Sequence, residues 1–376
     1  VFHILRASAS ARTRMINVVR SVLFFAVAQP TFAIASQRPR RPRNGSRSLT
    51  HAADPSAPPL RDDIAARIKD TMKEFAEKFH SAGNKRTHLV VHGDSTMSGL
   101  SYRMNEAVGS ELIYSFYSCG TWGQKCIPVS YAPSLAAQPS YKEYRDVFDN
   151  VEAAFKVLQG CSDGNTGGAL WVTSHFGGSL IKYMWSFSPE NQFNACWNPC
   201  MTDAIKALKP HAVVVNQGLH LLHIHPGRPC NSGSYYKCGK YQDNVENILS
   251  SIQEITPITL WRMTNWVCDA KYNRAWHDTL AGWRDPNRTA SLETQCRREC
   301  EGFSDSNPCN AELLEAGGAW RQYSGAKRAI EAVKAKGGRG VIGMVDAFDI
   351  TYSQCKHTKD ARHYKALDGD IALRMA

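Results

Sequence analysis

The sequence predicts an α/β domain, a three-layer sandwich in which helices cover both faces of a mostly parallel central sheet. Short, continuously apolar runs recur along the chain, and such runs are typical of strands that are buried on both faces. Segments with helical periodicity fill several gaps between these runs, and this alternation favours a doubly wound sheet. The predicted strands are His88–His92, Glu111–Tyr117, Ala169–Thr173, Ala212–Asn216, Ile258–Arg262 and Val341–Val345.

The first predicted helix precedes the first strand. It opens near Asp62, carries apolar residues at helical spacing and ends around Gly83. The later predicted helices are Met97–Val108, Val151–Leu158, Met201–Leu208, Tyr241–Ile255 and Ala326–Lys336. In folds of this class chemistry takes place at the carboxyl ends of the strands, so we expect the functional residues there.

The composition divides the chain into three parts. Residues 1–35 form a leader that runs from Met15 through an apolar stretch to a small-x-small end at Ala35. This layout is typical of a secretory signal peptide, and a short signal anchor is the alternative. Residues 36–60 are rich in Arg, Pro and Ser and are predicted to be a disordered basic tether. Residues 61–376 are predicted to be a single catalytic domain.

The basic charge of the chain is concentrated at one end. The formal net charge is +11, but residues 1–50 contain nine Arg and no acidic residue, which leaves 36 basic against 34 acidic residues in the rest. A surface that binds nucleic acid needs its basic groups on the folded domain. The distribution therefore excludes nucleic acid as the main partner. Contact with a membrane is expected only if the leader is an uncleaved anchor.

All twelve cysteines lie within Cys119–Cys355. An even number inside one exported domain predicts disulfides, and the expected location is the secretory pathway, in the Golgi lumen or outside the cell. Structural zinc is the alternative, because Cys196-x3-Cys200 and Cys296-x3-Cys300 resemble half-sites with a looser spacing than a zinc knuckle. Asn287 begins a sequon for N-glycosylation, which fits the same compartment.

The first candidate for chemistry is the segment Gly93-Asp94-Ser95-Thr96, which follows the first predicted strand and precedes a helix. A serine at this place projects its hydroxyl from the sheet edge, close to helix N-terminal N–H groups that stabilise an oxyanion. The alternative is that Asp94 or Ser95 only caps the helix.

Two further segments are candidates for the same site. Asn216 ends a strand, and its amide is placed to donate a hydrogen bond to an oxyanion. The alternative is a turn built on Gly218. Asp360 precedes His363 by three residues, and a carboxylate at that spacing can orient an imidazole that acts as a base. The alternative there is a local contact on a surface helix.

These segments, in this order, resemble the sequence blocks of the SGNH hydrolase superfamily. Within it the chain resembles the PC-esterase group, which includes the trichome-birefringence-like polysaccharide O-acetyltransferases of plants. The resemblance rests on Gly-Asp-Ser-Thr, on Asn-x-Gly-Leu-His at 216–220, on Trp261-Arg262-x-Thr264 and on the many cysteines. It spans about residues 85–370 and implies an SGNH hydrolase-like fold.

The resemblance implies a catalytic role for each matching residue. Ser95 is the nucleophile that attacks the ester carbonyl, His363 takes its proton, and Asp360 fixes the tautomer of the imidazole. The oxyanion rests on the backbone N–H of Ser95, the amide of Asn216 and Gly120 of the second block. No cofactor is implied.

Other residues are expected to support the site. Asp94 holds the turn, Arg262 braces the site, and His220 belongs to the asparagine block. Three departures from the family pattern bear on function. The oxyanion glycine of the second block has no clear match, and Gly120, after the strand Glu111–Tyr117, is the candidate for it. Ser98 stands where the PC-esterase group often has arginine, which affects the contact with the substrate or the acyl donor. His357 is a nearby alternative base.

The expected function is that of an acyl-ester hydrolase or O-acyltransferase. The resemblance implies O-acetyl esters of a glycan or polysaccharide as substrate and, for transfer, an acetyl donor. Two alternatives stay open. One is a catalytically inactive carbohydrate-binding protein of the same fold. The other is a metal-dependent hydrolase, because His220, His223 and His225 lie within six residues, although no carboxylate or cysteine at ligand spacing joins them.

Overall fold

The structure is a computed structural model, and it describes most of the region between residues 58 and 375. The described residues are 58–83, 86–109, 111–117, 142–160, 169–175, 178–184, 199–222, 241–268 and 317–375, and all of them belong to one compact unit. The leader, the tether up to residue 57 and Asn287 lie outside them, so the expectations for these segments stay predictions. None of the described helices combines the length and the apolar character that a membrane span requires.

Helices and strands alternate along much of the described chain. The helices are α1 (Asp62–Ser81), α2 (Ser95–Val108), α3 (Arg145–Gly160), α4 (Pro199–Ala207), α5 (Tyr241–Gln253), α6 (Gly318–Lys336), α7 (Ala347–Thr351) and α8 (Asp368–Met375). The strands are β1 (His88–His92), β2 (Glu111–Tyr117), β3 (Ala169–His175), β4 (Gly178–Met184), β5 (Ala212–Val215), β6 (Ile258–Arg262) and β7 (Val341–Val345). Short 3-10 turns occur at Leu219–Leu222 and Cys355–His357.

The strands form one seven-stranded sheet in the order β2-β3-β4-β1-β5-β6-β7. The strands from β4 to β7 in this order pair in parallel, and β3 pairs antiparallel with both β2 and β4. The predicted α/β fold with a mostly parallel sheet is therefore confirmed for the described part of the chain. Because β1, β5 and β6 are adjacent and parallel, the residues that follow them meet at one edge of the sheet.

Helices pack on both faces of this sheet. Side chains of β1 and β5 alternate between two hydrophobic clusters, as the two-residue period of a strand requires. One cluster holds Val90, Val213 and Val215 with apolar residues of α3, α4, α5 and α6. The other holds Leu89, Val91 and Val214 with apolar residues of α1, α2 and α8. The layers are therefore helix, sheet and helix.

The structure also corrects the sequence prediction at several elements. β4 was not predicted, although it pairs with β1 near the centre of the sheet, because Gly178, Ser179 and Lys182 interrupt its apolar pattern. α6 begins at Gly318, eight residues before its predicted start. Its first two turns bury small or polar residues such as Gln322, which carry little hydrophobic signal.

Candidate active site

The turn after β1 is built around a helix cap. α2 begins at Ser95, and Asp94 is its N-cap residue. The carboxylate Oδ1 of Asp94 accepts hydrogen bonds from the Thr96 backbone N–H (2.9 Å) and the Thr96 hydroxyl (2.6 Å). The backbone N–H of Ser95 lies in the first helical turn, where N–H groups have no intrahelical acceptor. The side chain of Ser95 lies outside the described part of the structure.

The turns after β1 and β5 are in close contact. The backbone N–H of Asn216 donates to the carbonyl of His92 (3.0 Å). A Cβ atom at Gly93 would lie 2.9 Å from the backbone oxygen of Asn216 and 3.2 Å from its Cβ. Only glycine allows this approach, so the glycine of the Gly-Asp-Ser-Thr segment brings that segment against the asparagine block.

The amide of Asn216 is buried and oriented. Its side-chain nitrogen donates to the backbone carbonyl of Arg262 (2.8 Å), and this bond fixes the amide because only its NH₂ group can face a carbonyl oxygen. Its Oδ1 is buried without a hydrogen-bond partner among the described groups. An amide nitrogen carries two N–H groups, and the bond to Arg262 uses one of them.

Two helices hold the turn that follows Asn216. The hydroxyl of Tyr241 donates to the carbonyl of Gln217 (3.0 Å), and the side-chain nitrogen of Gln322 donates to the carbonyl of Gly218 (2.6 Å). Burial raises the pKa of Tyr241, so its hydroxyl stays a neutral donor. Gly218 has a φ of 136°, which other residues rarely adopt. The turn anticipated at Gly218 is present, and it sets the position of Asn216.

Asp360 and His363 form a close pair. The imidazole Nδ1 of His363 lies 2.5 Å from Oδ2 of Asp360, and the backbone N–H of His363 donates to Oδ1 (2.9 Å). Burial alone would raise the pKa of Asp360, but the hydrogen bonds and charge of His363 hold it below its usual range. Because the ionised carboxylate faces Nδ1, that nitrogen carries the proton, and Nε2 is the ring nitrogen that can accept one. His357 lies exposed in the preceding 3-10 turn.

The Asp360–His363 segment is a strained turn. The alternative interpretation, a local contact on a surface helix, is wrong for this segment, because its residues are not helical and α8 begins only at Asp368. Ala361 is fully buried with a φ of 69°, a conformation that costs a non-glycine residue about 1–3 kcal/mol. Its carbonyl accepts a hydrogen bond from the backbone N–H of Cys268 (3.0 Å). The surrounding chain therefore holds the pair in a conformation that an isolated helix would not adopt.

A buried arginine joins the three segments. Arg262 is 0 % exposed, and its guanidinium donates to the Thr96 hydroxyl (3.0 Å) and to Oδ1 of Asn265 (2.6 Å). The amide nitrogen of Asn265 donates to the backbone carbonyl of Arg362 (2.9 Å), inside the Asp360–His363 turn. The backbone carbonyl of Arg262 also accepts the hydrogen bond from the Asn216 amide. Arg262 thus contacts all three predicted blocks, directly or through Asn265.

Asn265 was not singled out from the sequence. The available signal was its place three residues after Arg262, at the carboxyl end of a buried strand.

Burial lowers the pKa of Arg262, whereas the carboxylates of Asp94 and Asp368 act in the opposite direction. A buried guanidinium is tolerated only where its N–H groups find acceptors. The acceptors are the Thr96 hydroxyl, the amide oxygen of Asn265 and the carbonyl of Met263, whereas Nε of Arg262 has no partner among the described groups.

A second set of contacts joins α2 to the chain after His363. A side chain at Gly99 would overlap the carboxylate of Asp368, so the two segments touch. Arg103 donates to the carbonyl of Lys365 (3.4 Å) and forms an ion pair with Glu106 (2.6 Å). The guanidinium of Arg103 is thus engaged within the protein.

Several predicted site features lie outside the described residues, namely Gly120, His223, His225 and the side chain of His220, whose backbone is in the 3-10 turn Leu219–Leu222. Within the described part, no group of three or more His, Cys, Asp or Glu is placed to hold a metal ion. A disulfide joins Cys268 to Cys355. The cysteine pairs of the alternative zinc interpretation also fall outside the described side chains.

The comparisons with known proteins identify no relative of this chain. No protein-family model matches this chain, and no curated protein is significantly similar to it. The resemblance to the SGNH superfamily therefore depends on the motifs of the chain, and the contacts among those motifs are the structural facts that any functional proposal has to use.

Proposed function

We propose that the protein is a serine-dependent acyl-ester hydrolase or O-acyltransferase of the SGNH type. Its substrate would be an O-acetyl ester of a glycan, and the reaction would pass through an acyl-Ser95 intermediate. The observation that supports this most is the buried chain of hydrogen bonds from Thr96 through Arg262 and Asn265 to Arg362. This chain ties the residue after the proposed nucleophile to the residue before the proposed base.

The proposed reaction has two displacements. The Ser95 hydroxyl attacks the ester carbonyl while Nε2 of His363 takes its proton, and Asp360 stabilises the imidazolium that forms. The oxyanion accepts hydrogen bonds from the Ser95 backbone N–H, the second N–H of the Asn216 amide and, from the family pattern, Gly120. His363 then returns the proton to the departing glycan oxygen, and the acetyl group stays on Ser95.

The second displacement decides between hydrolysis and transfer. His363 removes a proton from water or from a sugar hydroxyl, which attacks the acyl-serine, and His363 then gives that proton to the departing Ser95 oxygen. Transfer to a glycan hydroxyl would need a surface beside the site that binds the acceptor glycan. Hydrolysis by water would need no such surface. Ser98, in place of the arginine that the PC-esterase group often has, favours a second candidate, a carbohydrate-binding protein that has lost catalysis.

A single set of assays separates these candidates. We expect the purified domain to hydrolyse 4-nitrophenyl acetate, and we expect Ser95→Ala to lower kcat by about 10³-fold or more while leaving the thermal unfolding temperature unchanged. Activity that a chelator removes and that survives in Ser95→Ala would point to the metal-dependent alternative. A folded protein without ester turnover on small esters or acetylated glycans would support the binding protein.

A further inference from the structure

A group of five aromatic side chains, two of them exposed, lies at the edge of the sheet that carries the candidate site. This aromatic platform consists of Trp266, Trp320, Tyr323, Phe348 and Tyr352. Trp320 is 52 % exposed and Tyr352 is 48 % exposed, and their ring centroids are 6.4 Å apart. Phe348 is buried beneath both rings. Among the described residues only four large hydrophobic side chains are exposed, and these two are the aromatic ones.

The platform lies at the carboxyl edge of the sheet. The hydroxyl of Tyr323 donates to the carboxylate of Asp346 (3.0 Å), which directly follows β7. Phe348 stacks on Tyr323 with ring centroids 4.4 Å apart. Because β7 runs parallel to β1, β5 and β6, the platform and the proposed catalytic residues are at the same edge.

One short segment of chain connects the platform to the proposed base. The ring of Trp266 lies 4.9 Å from that of Tyr352, and the Trp266 backbone N–H donates to the Thr351 hydroxyl (2.7 Å). The residue before Trp266 is Asn265, which donates to the carbonyl of Arg362. The segment that holds the Asp360–His363 turn therefore also forms part of the platform.

The size and chemistry of the platform fit a sugar better than a protein. Aromatic side chains bury about 150–250 Å² each, so two half-exposed rings offer roughly 200 Å², against about 800 Å² per partner in a standard protein interface. The faces of such rings attract the polarised C–H groups of a pyranose. Asp349 is exposed, and its backbone carbonyl accepts a hydrogen bond from the Tyr352 N–H (3.2 Å); its carboxylate is an acceptor for sugar hydroxyls.

We propose that the aromatic platform is a glycan subsite, which binds a sugar residue of the polymer whose acetyl ester the site acts on. The proposal rests on the proposed function for the identity of the polymer. Its physical basis is the two exposed rings of Trp320 and Tyr352, together with the carboxylate of Asp349. The segment at residues 265–266 contacts both the platform and the turn that carries the proposed base. The subsite would supply binding energy to a polymer and none to a small ester.

Affinity electrophoresis tests the subsite without catalysis. Ser95→Ala protein is run through gels that contain xylan, glucomannan, pectin, alginate or hydroxyethyl cellulose, each native and chemically O-acetylated. We expect at least one acetylated polymer to retard Ser95→Ala, and we expect Trp320→Ala or Tyr352→Ala in that background to lower the retardation about tenfold. Val341→Ala, which truncates an exposed residue at the opposite end of β7, is the matched control and should change nothing.

The outcomes separate the subsite from the catalytic proposal. Retardation that depends on Trp320, with no ester turnover by the wild-type protein, would support the subsite and overturn the proposed enzyme. In an active enzyme, Trp320→Ala should raise KM for the acetylated polymer about tenfold and leave turnover of 4-nitrophenyl acetate within twofold. The subsite is overturned if no polymer retards the protein, if Trp320→Ala runs like its parent, or if the aromatic variants only abolish self-association.

Discussion

His363 and Asp360 carry the acid–base chemistry in the proposed reaction. We expect His363→Ala to lower kcat for 4-nitrophenyl acetate by about 10³-fold or more, and Asp360→Asn by about 10²-fold, because the amide neither fixes the imidazole tautomer nor stabilises the imidazolium. Steady-state kinetics with the small ester measures both effects. His357→Ala is the control, since that histidine lies exposed in the preceding turn. A loss of activity in His357→Ala with an active His363→Ala would assign the base to position 357.

The Asp360 carboxylate should not limit activity at moderately acid pH. Its pKa is lowered by the contact with His363, so it stays ionised where an ordinary aspartate begins to take up a proton. Asp360 should therefore add no ionisation of its own to the acid limb of the kcat/KM profile. In Asp368→Asn protein, which lacks the buried carboxylate whose pKa is about 6, a single ionisation in that limb agrees with this, and two ionisations would indicate that Asp360 titrates in the same range.

Asp368 is a buried carboxylate whose pKa is shifted upward, in the opposite direction to that of Asp360. Burial raises its pKa to about 6 from 3.8, although Arg262 and Arg103 act against the shift. The folded protein therefore binds this proton more tightly than the unfolded chain. The stability that Asp368 contributes is complete below the unfolded pKa and is lost as the pH rises through the folded pKa.

Asp368→Asn should remove this pH dependence. Between about pH 4 and 7, we expect the free energy of unfolding of the wild type to fall relative to that of the variant by up to about 3 kcal/mol. Urea unfolding of both proteins at several pH values measures the difference. A difference that stays constant over this range would show that Asp368 titrates normally.

At the scale of elements, the segment Met263–Cys268 after β6 positions the proposed base. Asn265 is fully buried and bonds both Arg262 and the carbonyl of Arg362. Loss of its side chain removes these hydrogen bonds from two buried groups, which costs about 1–3 kcal/mol each. The Asp360–His363 turn would then lose one of its attachments to the sheet.

Asn265→Ala should therefore impair the reaction more than binding. We expect kcat to fall about 10- to 100-fold with KM for the small ester little changed, and the free energy of unfolding to fall by about 2–4 kcal/mol. Asn247→Ala, an exposed position on α5, is the control. Full activity in a destabilised Asn265→Ala protein would assign this residue a purely structural role.

The disulfide between Cys268 and Cys355 attaches the same segment to the chain before Asp360 and joins residues that are 87 positions apart. A cross-link over a loop of this length restricts the unfolded state, and its removal typically costs about 2–5 kcal/mol. We expect the double variant Cys268→Ser, Cys355→Ser to lose about that much stability in urea unfolding. Unchanged stability would mean that the packing of the segment does not need the cross-link.

The sequence predicted where the strands end better than it predicted the hydrogen bonds that connect the residues at those ends. Continuous apolar runs marked β1, β5, β6 and β7, so Ser95, Asn216 and Arg262 were correctly placed at strand ends. β4 was missed because glycine, serine and lysine interrupt its pattern. The role of Asn265 was not predictable, since its partner Arg362 is 97 residues away in the chain.

The turn at Asp360–His363 shows a different limit of the sequence. Three-residue spacing brings two side chains together in a helix as well as in a turn, so the pattern did not distinguish the two conformations. Ala361 has a positive φ without being glycine or asparagine, and no local signal announces that conformation. The conformation of Ala361 depends on contacts with the segment after β6, which is distant from it in the sequence.

At the scale of the whole molecule, the order of the sheet explains how distant residues meet. The strands β1, β5 and β6 are neighbours although the chain between them is long. Their carboxyl ends bring Ser95, Asn216 and Arg262 side by side, and the chain after β7 returns to place His363 against the segment after β6. A mostly parallel sheet concentrates such turns at one edge, which is where ligands bind in this class of fold.

Covalent labelling tests most directly whether Ser95 and His363 act as a couple. The protein is treated with a fluorophosphonate, and the modified residue and its rate of labelling are determined by mass spectrometry. We expect a single adduct on Ser95, formed at least about 10³-fold more slowly in His363→Ala and at the wild-type rate in His357→Ala. An adduct on another residue, no adduct at all, or labelling of Ser95 at an unchanged rate in His363→Ala would contradict the proposed active site.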